Sequence, residues 1–488
     1  MTGTLPILWT DEDAAAATGG RATGTRWQAT GVSIDSRTVK PGDLFIAIKG
    51  PSFDGHAFVA QALDKGAAAA LVSDVPPGVA GDAPLLAVDD TLAAMTDLGR
   101  RSRVRTRARV IGVTGSVGKT GTKEALRHVL SAQAPTFATE GSLNNHWGVP
   151  LSLARMPADS AYAVFEMGMN HAGELGPLSR LVHPQVAVIT TVEPAHMEFF
   201  ASVEAIADAK AEIFDGMGPG GVAVLNRDNP HFARLLAAAR TQGLTVKSFG
   251  THEEADARLL AADLGPDDSR VSARIGGAAV DYTIALPGRH WVMNSLAVLL
   301  AVKAAGGGVP AAAAAFATLP SVKGRGVRSR VTTTDGAAFT LIDESYNASP
   351  AAMEAAFAVL GRLAPTDGGR RLAVLGDMRE MGSKADSLHT GLAPALLAAG
   401  IDTVYCCGPH MRALFDTLPA AVRGAWAEDS AALAPLVAER VAGGDVVLVK
   451  GSAGSRMARV VEALSALGRS NDDNNPSPTP AAAPGQRG

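Results

Sequence analysis

One stretch constrains this chain more than any other: VIGVTGSVGKTGTKEAL, Val110 to Leu126. Val110, Ile111 and Val113 read as a strand, Gly115 and Gly118 permit a tight turn, and Ala125, Leu126, Val129 and Leu130 recur at helical spacing behind it. A strand that runs through a glycine turn straight into a helix is an α/β unit whose backbone N–H groups are aimed at one point, where they hold phosphate oxygens. Lys119 adds a mobile positive charge for the outer phosphates, and the Thr120 hydroxyl is a ligand for Mg²⁺. The general pattern G-x-x-x-x-G-K-[ST] requires glycine where this chain has Val113, so this is a shorter form of the loop.

The rest of the chain extends the same theme. Apolar runs in RVIGV, AYAVFEM, QVAVITTV and GGVAVLN alternate with helical patterns, and the theme returns in RRLAVLGD, DTVYCCG and DVVLVKG. Both parts are expected to be α/β with mostly parallel sheets. With 488 residues the chain exceeds one core. Composition shifts place boundaries that give an N-terminal domain over 1–105, a central domain over 106–325 and a C-terminal domain over 326–468. The polar, proline-rich segment 469–488 is expected to be a disordered tail.

Several classes are set aside by what the chain lacks. No apolar run reaches the length of a membrane span and no basic residue precedes Arg21, so neither membrane insertion nor a secretory signal is expected, and the chain is placed in the cytoplasm. Cys406 and Cys407 follow DTVY in what reads as a buried strand, which argues against a disulfide framework. A net charge of −4 gives no nucleic-acid footprint; the basic run Arg100 to Arg109 reads as a solvated linker.

Three further residues carry chemistry. Glu166 ends the apolar strand in VFEMG, where open α/β sheets place their ligands, and a carboxylate there suits Mg²⁺. Behind Ser202, Ile206, Lys210 and Phe214 fall on one helical face, which puts a lysine on an apolar stripe. Snorkelling is one explanation. Partial burial, which favours the neutral amine that reacts with CO₂, is the other. His196 follows the strand in VAVITTV and by itself is an ordinary structural histidine.

The form T-G-[ST]-x-G-K-[ST], here Thr114 to Thr120, resembles the ATP loop of the Mur ligases, and the resemblance extends over nearly the whole chain. NNHWGVP, EMGMNHAGE, HMEFFAS with AKAEIF, DESYNASP, GDMREMG and LVKGS stand in that family's order. Within the family they look like the members that add D-alanyl-D-alanine to UDP-N-acetylmuramoyl-tripeptide through an acyl phosphate. The alternative is another ligase of the superfamily, amino-acid-adding or folylpolyglutamate synthase-like. The DNPH segment, Asp228 to His231, lies in the central domain and so does not match the C-terminal Asp-Asn-Pro-Arg of diaminopimelate-adding ligases.

The resemblance implies a three-domain Mur ligase architecture, with a central P-loop ATPase-type parallel sheet and a Rossmann-like C-terminal domain. It implies ATP and Mg²⁺ as cofactors, UDP-N-acetylmuramoyl-tripeptide and D-Ala-D-Ala as partners, and a monomer. For ATP it implies contacts from Thr114, Gly115, Ser116, Val117, Gly118, Lys119, Thr120, Asn294, Arg325, Asp343, Tyr346 and Asn347. Asn294, at the start of an apolar helix, suits an adenine contact or a helix cap; Arg325, among Lys323, Arg328 and Arg330, suits a phosphate contact or a basic linker. It makes Lys119, Glu166, His196 and Lys210 catalytic, with Thr120, Glu166, His196 and Lys210 (as its carbamate) around the metal. For the UDP-sugar substrate it implies Ser36, Arg37, Lys49, Gly50, Asp54, Gly55 and His56 around the turn Pro41-Gly42-Asp43, with Asn144 and Asn145 as peptide contacts or turn formers.

Overall fold

The structure is a computed structural model that describes residues 6–50 and 53–468. The tail expected over 469–488 lies outside the described residues. The chain divides into two compact units, one reaching Pro320 and the other beginning at Ser321.

Among its described residues the first unit holds two larger α/β sheets and a two-stranded antiparallel pair, Trp9–Thr10 with Gln28–Ala29. Toward the N-terminus, strands Arg21–Thr23, Leu85–Ala87, Ala69–Val72, Asp43–Ile46 and Gly31–Ser33 lie side by side, the first pair antiparallel and the others parallel. The larger sheet has nine strands in the spatial order Ala278–Ile284, Ser269–Ile275, Ala257–Leu264, Thr245–Gly250, Val222–Asn226, Val186–Ile189, Arg109–Thr114, Tyr162–Glu166, Thr136–Ala138. Seven of these run parallel. The antiparallel extension over 257–284 was not expected from the sequence, and its alternating burial marks a sheet with one solvated face. In contrast, Val110, Ile111 and Val113 are all fully buried, because helices cover both faces of a parallel strand.

From the Arg109–Thr114 strand the chain passes to the edge strand Thr136–Ala138, returns to Tyr162–Glu166 on the same side, then crosses to the other side with Val186–Ile189. The carboxyl end of Arg109–Thr114 is therefore a topological switch point, where the connections diverge and open a crevice.

The basic run Arg100 to Arg109 is not a solvated linker. It occupies the end of the helix Thr91–Arg105 and the start of the next strand. Arg103 donates to the carbonyls of Val182 (2.8 Å) and His183 (2.9 Å), and Arg105 donates to Leu8 O (2.7 Å) with its guanidinium 4.2 Å from the Trp9 ring centroid. Long arginine stems let a helix cover neighbouring surface while their heads satisfy carbonyls, which charge counting along the sequence does not reveal.

The second unit has a six-stranded sheet in the order Val327–Thr332, Ala338–Glu344, Val446–Lys450, Arg371–Gly376, Thr403–Cys407, Arg423–Ala427, antiparallel only in its first pair. Val327–Thr332 contains Arg328 and Arg330, so these two arginines are strand residues rather than linker. Cys406 and Cys407 are buried free thiols in a strand, as expected.

Candidate functional site

The phosphate loop joins the Arg109–Thr114 strand to the helix Lys119–Ser131, whose N-cap is Gly118. Gly118 has φ +87°, and a Cβ there would sit 3.1 Å from the Asn294 side chain; one on Gly115 would fall 1.9 Å from Thr190 Oγ1. Both positions therefore require glycine. Lys119 Nζ donates to the carbonyls of Gly115 (2.8 Å) and Ser116 (3.4 Å), folding back over the loop. A phosphate held there offers the amine anionic oxygens, which make stronger hydrogen bonds than carbonyls.

Neighbouring segments pin the loop. Ser116 N donates to Thr191 O (2.9 Å), and Ser116 Oγ donates to Glu193 O (2.9 Å) and accepts from Glu193 N (3.0 Å). Thr190 Oγ1 donates to Val117 O at 2.5 Å. Thr190 was missed in the sequence; its signal was a hydroxyl immediately after an apolar strand. The same segment leads to His196, a non-glycine residue at φ +56°, in a region that non-glycine residues seldom occupy outside constrained sites.

Glu166 ends the adjacent strand opposite Val113 and is 1% exposed. Its Oε1 accepts from Asn144 Nδ2 at 2.7 Å, while Oε2 is buried with no hydrogen-bond donor among the described residues. A buried carboxylate oxygen without a donor is costly unless a cation meets it. The arrangement therefore fits a hard divalent ion, with the nearly buried Thr120 hydroxyl as a second oxygen donor in the first turn of the loop helix. Asn144 thus holds the carboxylate. Asn145 Oδ1 accepts from Gly148 N (2.9 Å) at the start of the next helix.

Lys210 does not snorkel. It lies in the helix Val203–Ala211, is 2% exposed between the buried Ile206 and Phe214, and has neither hydrogen bond nor carboxylate partner among the described residues. Burial first, and then repulsion by Lys119, hold its amine well below the ordinary lysine range. Lys119 and Lys210 are thus electrostatic neighbours, and both burial and that repulsion favour the neutral amine, the form that reacts with CO₂.

Asn294 is not a helix cap. The helix Arg289–Ala304 is capped by Gly288, which leaves Asn294 one turn inside with its amide against Gly118. The helix is apolar on all sides and buried, so a polar residue facing the phosphate loop stands out.

In the N-terminal sheet, Arg37 is exposed and forks onto Asp35, Nε–Oδ1 at 2.9 Å and Nη2–Oδ2 at 2.7 Å. Those hydrogen bonds bring the Asp35 carboxyl down to about 2. Ser36 is buried, and its carbonyl accepts from Lys65 (2.7 Å). His56 is committed on both sides: Nδ1 lies 2.6 Å from Asp54 Oδ1, and Nε2 accepts from Ser73 N at 2.9 Å. Lys49 pairs with Asp54 across a β-bridge, with Gly50 and Gly55 in the tight backbone on either side. Asp54 and His56 therefore shape this turn, whereas Arg37 presents its charge at the surface.

In the second unit, Arg325 stacks on the Tyr346 ring, 4.3 Å from its centroid. Asp343 Oδ1 accepts from Ser345 N (3.0 Å) and Oγ (2.6 Å), and Asn347 Oδ1 accepts from Ala348 N (2.9 Å). The buried Lys450 ties this segment to the neighbouring strand through Glu344 Oε2 (2.9 Å) and Asn347 O (3.1 Å). A cavity of about 280 Å³ opens at the carboxyl ends of the parallel strands of this unit, with Asp377, Glu428, Arg379, Arg456 and Arg459 among its walls. Arg456 stands in left-handed backbone at φ +51°.

Residues 113–302 match the Mur ligase middle domain, 328–453 the Mur ligase glutamate ligase domain and 28–103 the Mur ligase family catalytic domain. The UDP-N-acetylmuramoyl-tripeptide–D-alanyl-D-alanine ligase of Escherichia coli (strain K12) is 35% identical over 437 residues, 89% of this chain and 93% of that protein. The crystal structure of MurF from Acinetobacter baumannii superposes with a TM-score of 0.80 at 29% identity, covering 94% of this chain and 99% of the other. MurF ligase from Thermotoga maritima, solved in complex with ADP, superposes with a TM-score of 0.73 at 28% identity over 89% and 97% of the two chains.

Proposed function

Since the chain belongs to the Mur ligase family, we infer that it is the ligase that joins D-alanyl-D-alanine to UDP-N-acetylmuramoyl-tripeptide at the expense of ATP, giving the pentapeptide precursor of peptidoglycan. It is an enzyme of amide-bond formation. The observation that carries this reading is the convergence, on the ends of neighbouring parallel strands, of the phosphate loop and the donor-free oxygen of Glu166, with the buried amine of Lys210 close enough to Lys119 to feel its charge.

The chemistry joins two anions before it makes an amide. An oxygen of the tripeptide carboxylate bonds to the γ-phosphorus as the bond to ADP breaks; the dipeptide amine then attacks the acyl carbon, phosphate leaves, and the nitrogen loses its proton. Lys119 and the loop N–H groups bind the transferring phosphate and stabilise the charge that spreads over its oxygens. Mg²⁺, which we propose is held by Thr120, Glu166, His196 and Lys210 as its carbamate, would supply further charge neutralisation. Asn294 against Gly118 is proposed to orient the nucleotide. Arg325, Asp343, Tyr346 and Asn347 are proposed as further nucleotide contacts, and the Ser36–His56 region as the seat of the UDP-sugar, with Arg37 providing a planar fork for its diphosphate.

No helix among the described residues is long and apolar enough to cross a membrane. We place the reaction in the cytoplasm, where ATP is available.

The test is phosphate release by the purified protein with ATP, Mg²⁺ and UDP-N-acetylmuramoyl-tripeptide, comparing D-Ala-D-Ala with single amino acids. Release that requires the dipeptide and yields the pentapeptide supports the reading. Release driven equally by single amino acids removes the substrate assignment but leaves the mechanism, and no release under any combination removes the enzyme.

The cavity in the second unit carries charges of both signs, which suits a zwitterionic dipeptide. Arg456→Ala is expected to raise KM for D-Ala-D-Ala by about 10- to 100-fold, the usual value of a hydrogen bond to a charged group, with KM for ATP unchanged. Steady-state kinetics with each substrate varied in turn check this.

A further inference from the structure

Lys123 is the most completely buried charged side chain near the phosphate loop, and nothing in the reaction described above uses it. It lies in the same helix as Thr120, one turn on, and is 0% exposed. Its Nζ donates to Thr139 O (2.7 Å) and Gly141 O (2.9 Å) and lies 2.7 Å from Glu124 Oε1. The Glu124 carboxyl, although burial opposes it, is held below the usual carboxylate range by Lys123 and Arg127. A buried ammonium retained at this cost needs a partner set of this kind, and two of its three contacts go to backbone that is otherwise a loop.

That loop continues directly to Asn144. Residues 139–145 carry Gly141 at φ +53° and a tight Asn144 N to Ser142 O bond (2.8 Å). Asn144 O accepts from Gly168 N (2.8 Å), and Asn144 Nδ2 reaches Glu166 Oε1 (2.7 Å). Of the two Glu166 oxygens, only the one Asn144 does not hold lacks a donor.

We propose that Lys123 is a positioning residue for the cation site: by gripping the Thr139 and Gly141 carbonyls it fixes the 139–145 loop, so that Asn144 engages one Glu166 oxygen and turns the other toward the cation. One rigid helix then sets both oxygen donors, Thr120 directly and Glu166 through Lys123 and Asn144. Partners one step removed from a metal commonly change affinity by about 10- to 100-fold when lost, because they orient the ligand rather than supply it. The inference rests on the assignment of Glu166 to the cation.

The experiment measures Mn²⁺ binding in the presence of ADP by electron paramagnetic resonance, on the full chain. Glu166→Gln tests the assignment itself and is expected to weaken binding at least tenfold; unchanged affinity there would overturn the cation site and this inference with it. Given that loss, Lys123→Met and Asn144→Ala are each expected to weaken Mn²⁺ binding about tenfold or more, and the double variant is expected to be no weaker than the worse single one, because both break the same linkage. Native-like Mn²⁺ affinity in Lys123→Met, or losses that multiply in the double variant, would overturn the positioning role while leaving Glu166 in place. A merely structural lysine would lower thermal stability without moving the affinity of the folded protein. If Lys123→Met does not fold, Lys123→Gln, whose amide still donates to one of the two carbonyls, is measured with the same criteria.

Discussion

Lys119→Ala is expected to lower the rate of ligation by about 10²- to 10³-fold, the usual loss when one preorganised electrostatic contact to a developing charge is removed. The expectation follows from where the amine is. Lys119 begins the loop helix and rests on the Gly115 and Ser116 carbonyls, directly over the glycine turn proposed to hold the phosphates. Two anions must meet in the first chemical step, and this is the one cation of the loop able to lie between them. Structure should survive the change, since the amine's bonds to the Gly115 and Ser116 carbonyls lie at the rim of the loop. Single-turnover phosphate release at saturating substrates separates a chemical defect from weak binding, and circular dichroism confirms the fold. A rate within a few-fold of the native protein would remove Lys119 from its assigned place.

Lys210→Met should stop ligation and stabilise the protein. The activity loss follows if the amine, as its carbamate, is a ligand of the cation. The stability gain follows from burial: Lys210 is 2% exposed, has no hydrogen bond or carboxylate among the described residues, and faces Lys119. Its amine binds a proton less readily folded than unfolded, so the unfolded chain holds more protons between the two pKa values, and stability rises with pH there. The destabilisation is therefore fully present below the folded pKa and fades as pH climbs to the ordinary lysine value. Methionine removes it. The melting temperature of Lys210→Met is expected to exceed that of bicarbonate-free native protein at pH 7, with the gap closing toward pH 10.5. Equal melting temperatures at pH 7 would mean that the buried amine costs nothing, and that its environment is more polar than these contacts indicate. Added bicarbonate is expected to stabilise the native protein and leave the variant unchanged.

The parts whose physics is local are legible from the residues alone. Val110 to Val113 is an unbroken apolar run because a parallel strand is covered on both faces, and the glycines and Lys119 follow it at the spacing that a phosphate turn demands. Ser202 capped the helix of Lys210 as its type predicts, accepting from Ala205 N, and the 3.6-residue period put Lys210 on the buried face. Groups acting across the fold stayed hidden. Asn294 reads as a cap until the helix is seen to start five residues earlier, which sets its amide against Gly118, far away along the chain. Arg103 and Arg105 read as solvated charge until their carbonyl partners, far along the chain, come into reach. Whether Lys210 snorkels or stays buried, and which Glu166 oxygen is open, likewise depended on neighbours brought together by sheet order. Periodicity reports which face of an element is buried, but not what meets it there; only the tertiary structure decides whether a buried polar atom has a partner, and it is those pairings that build the site.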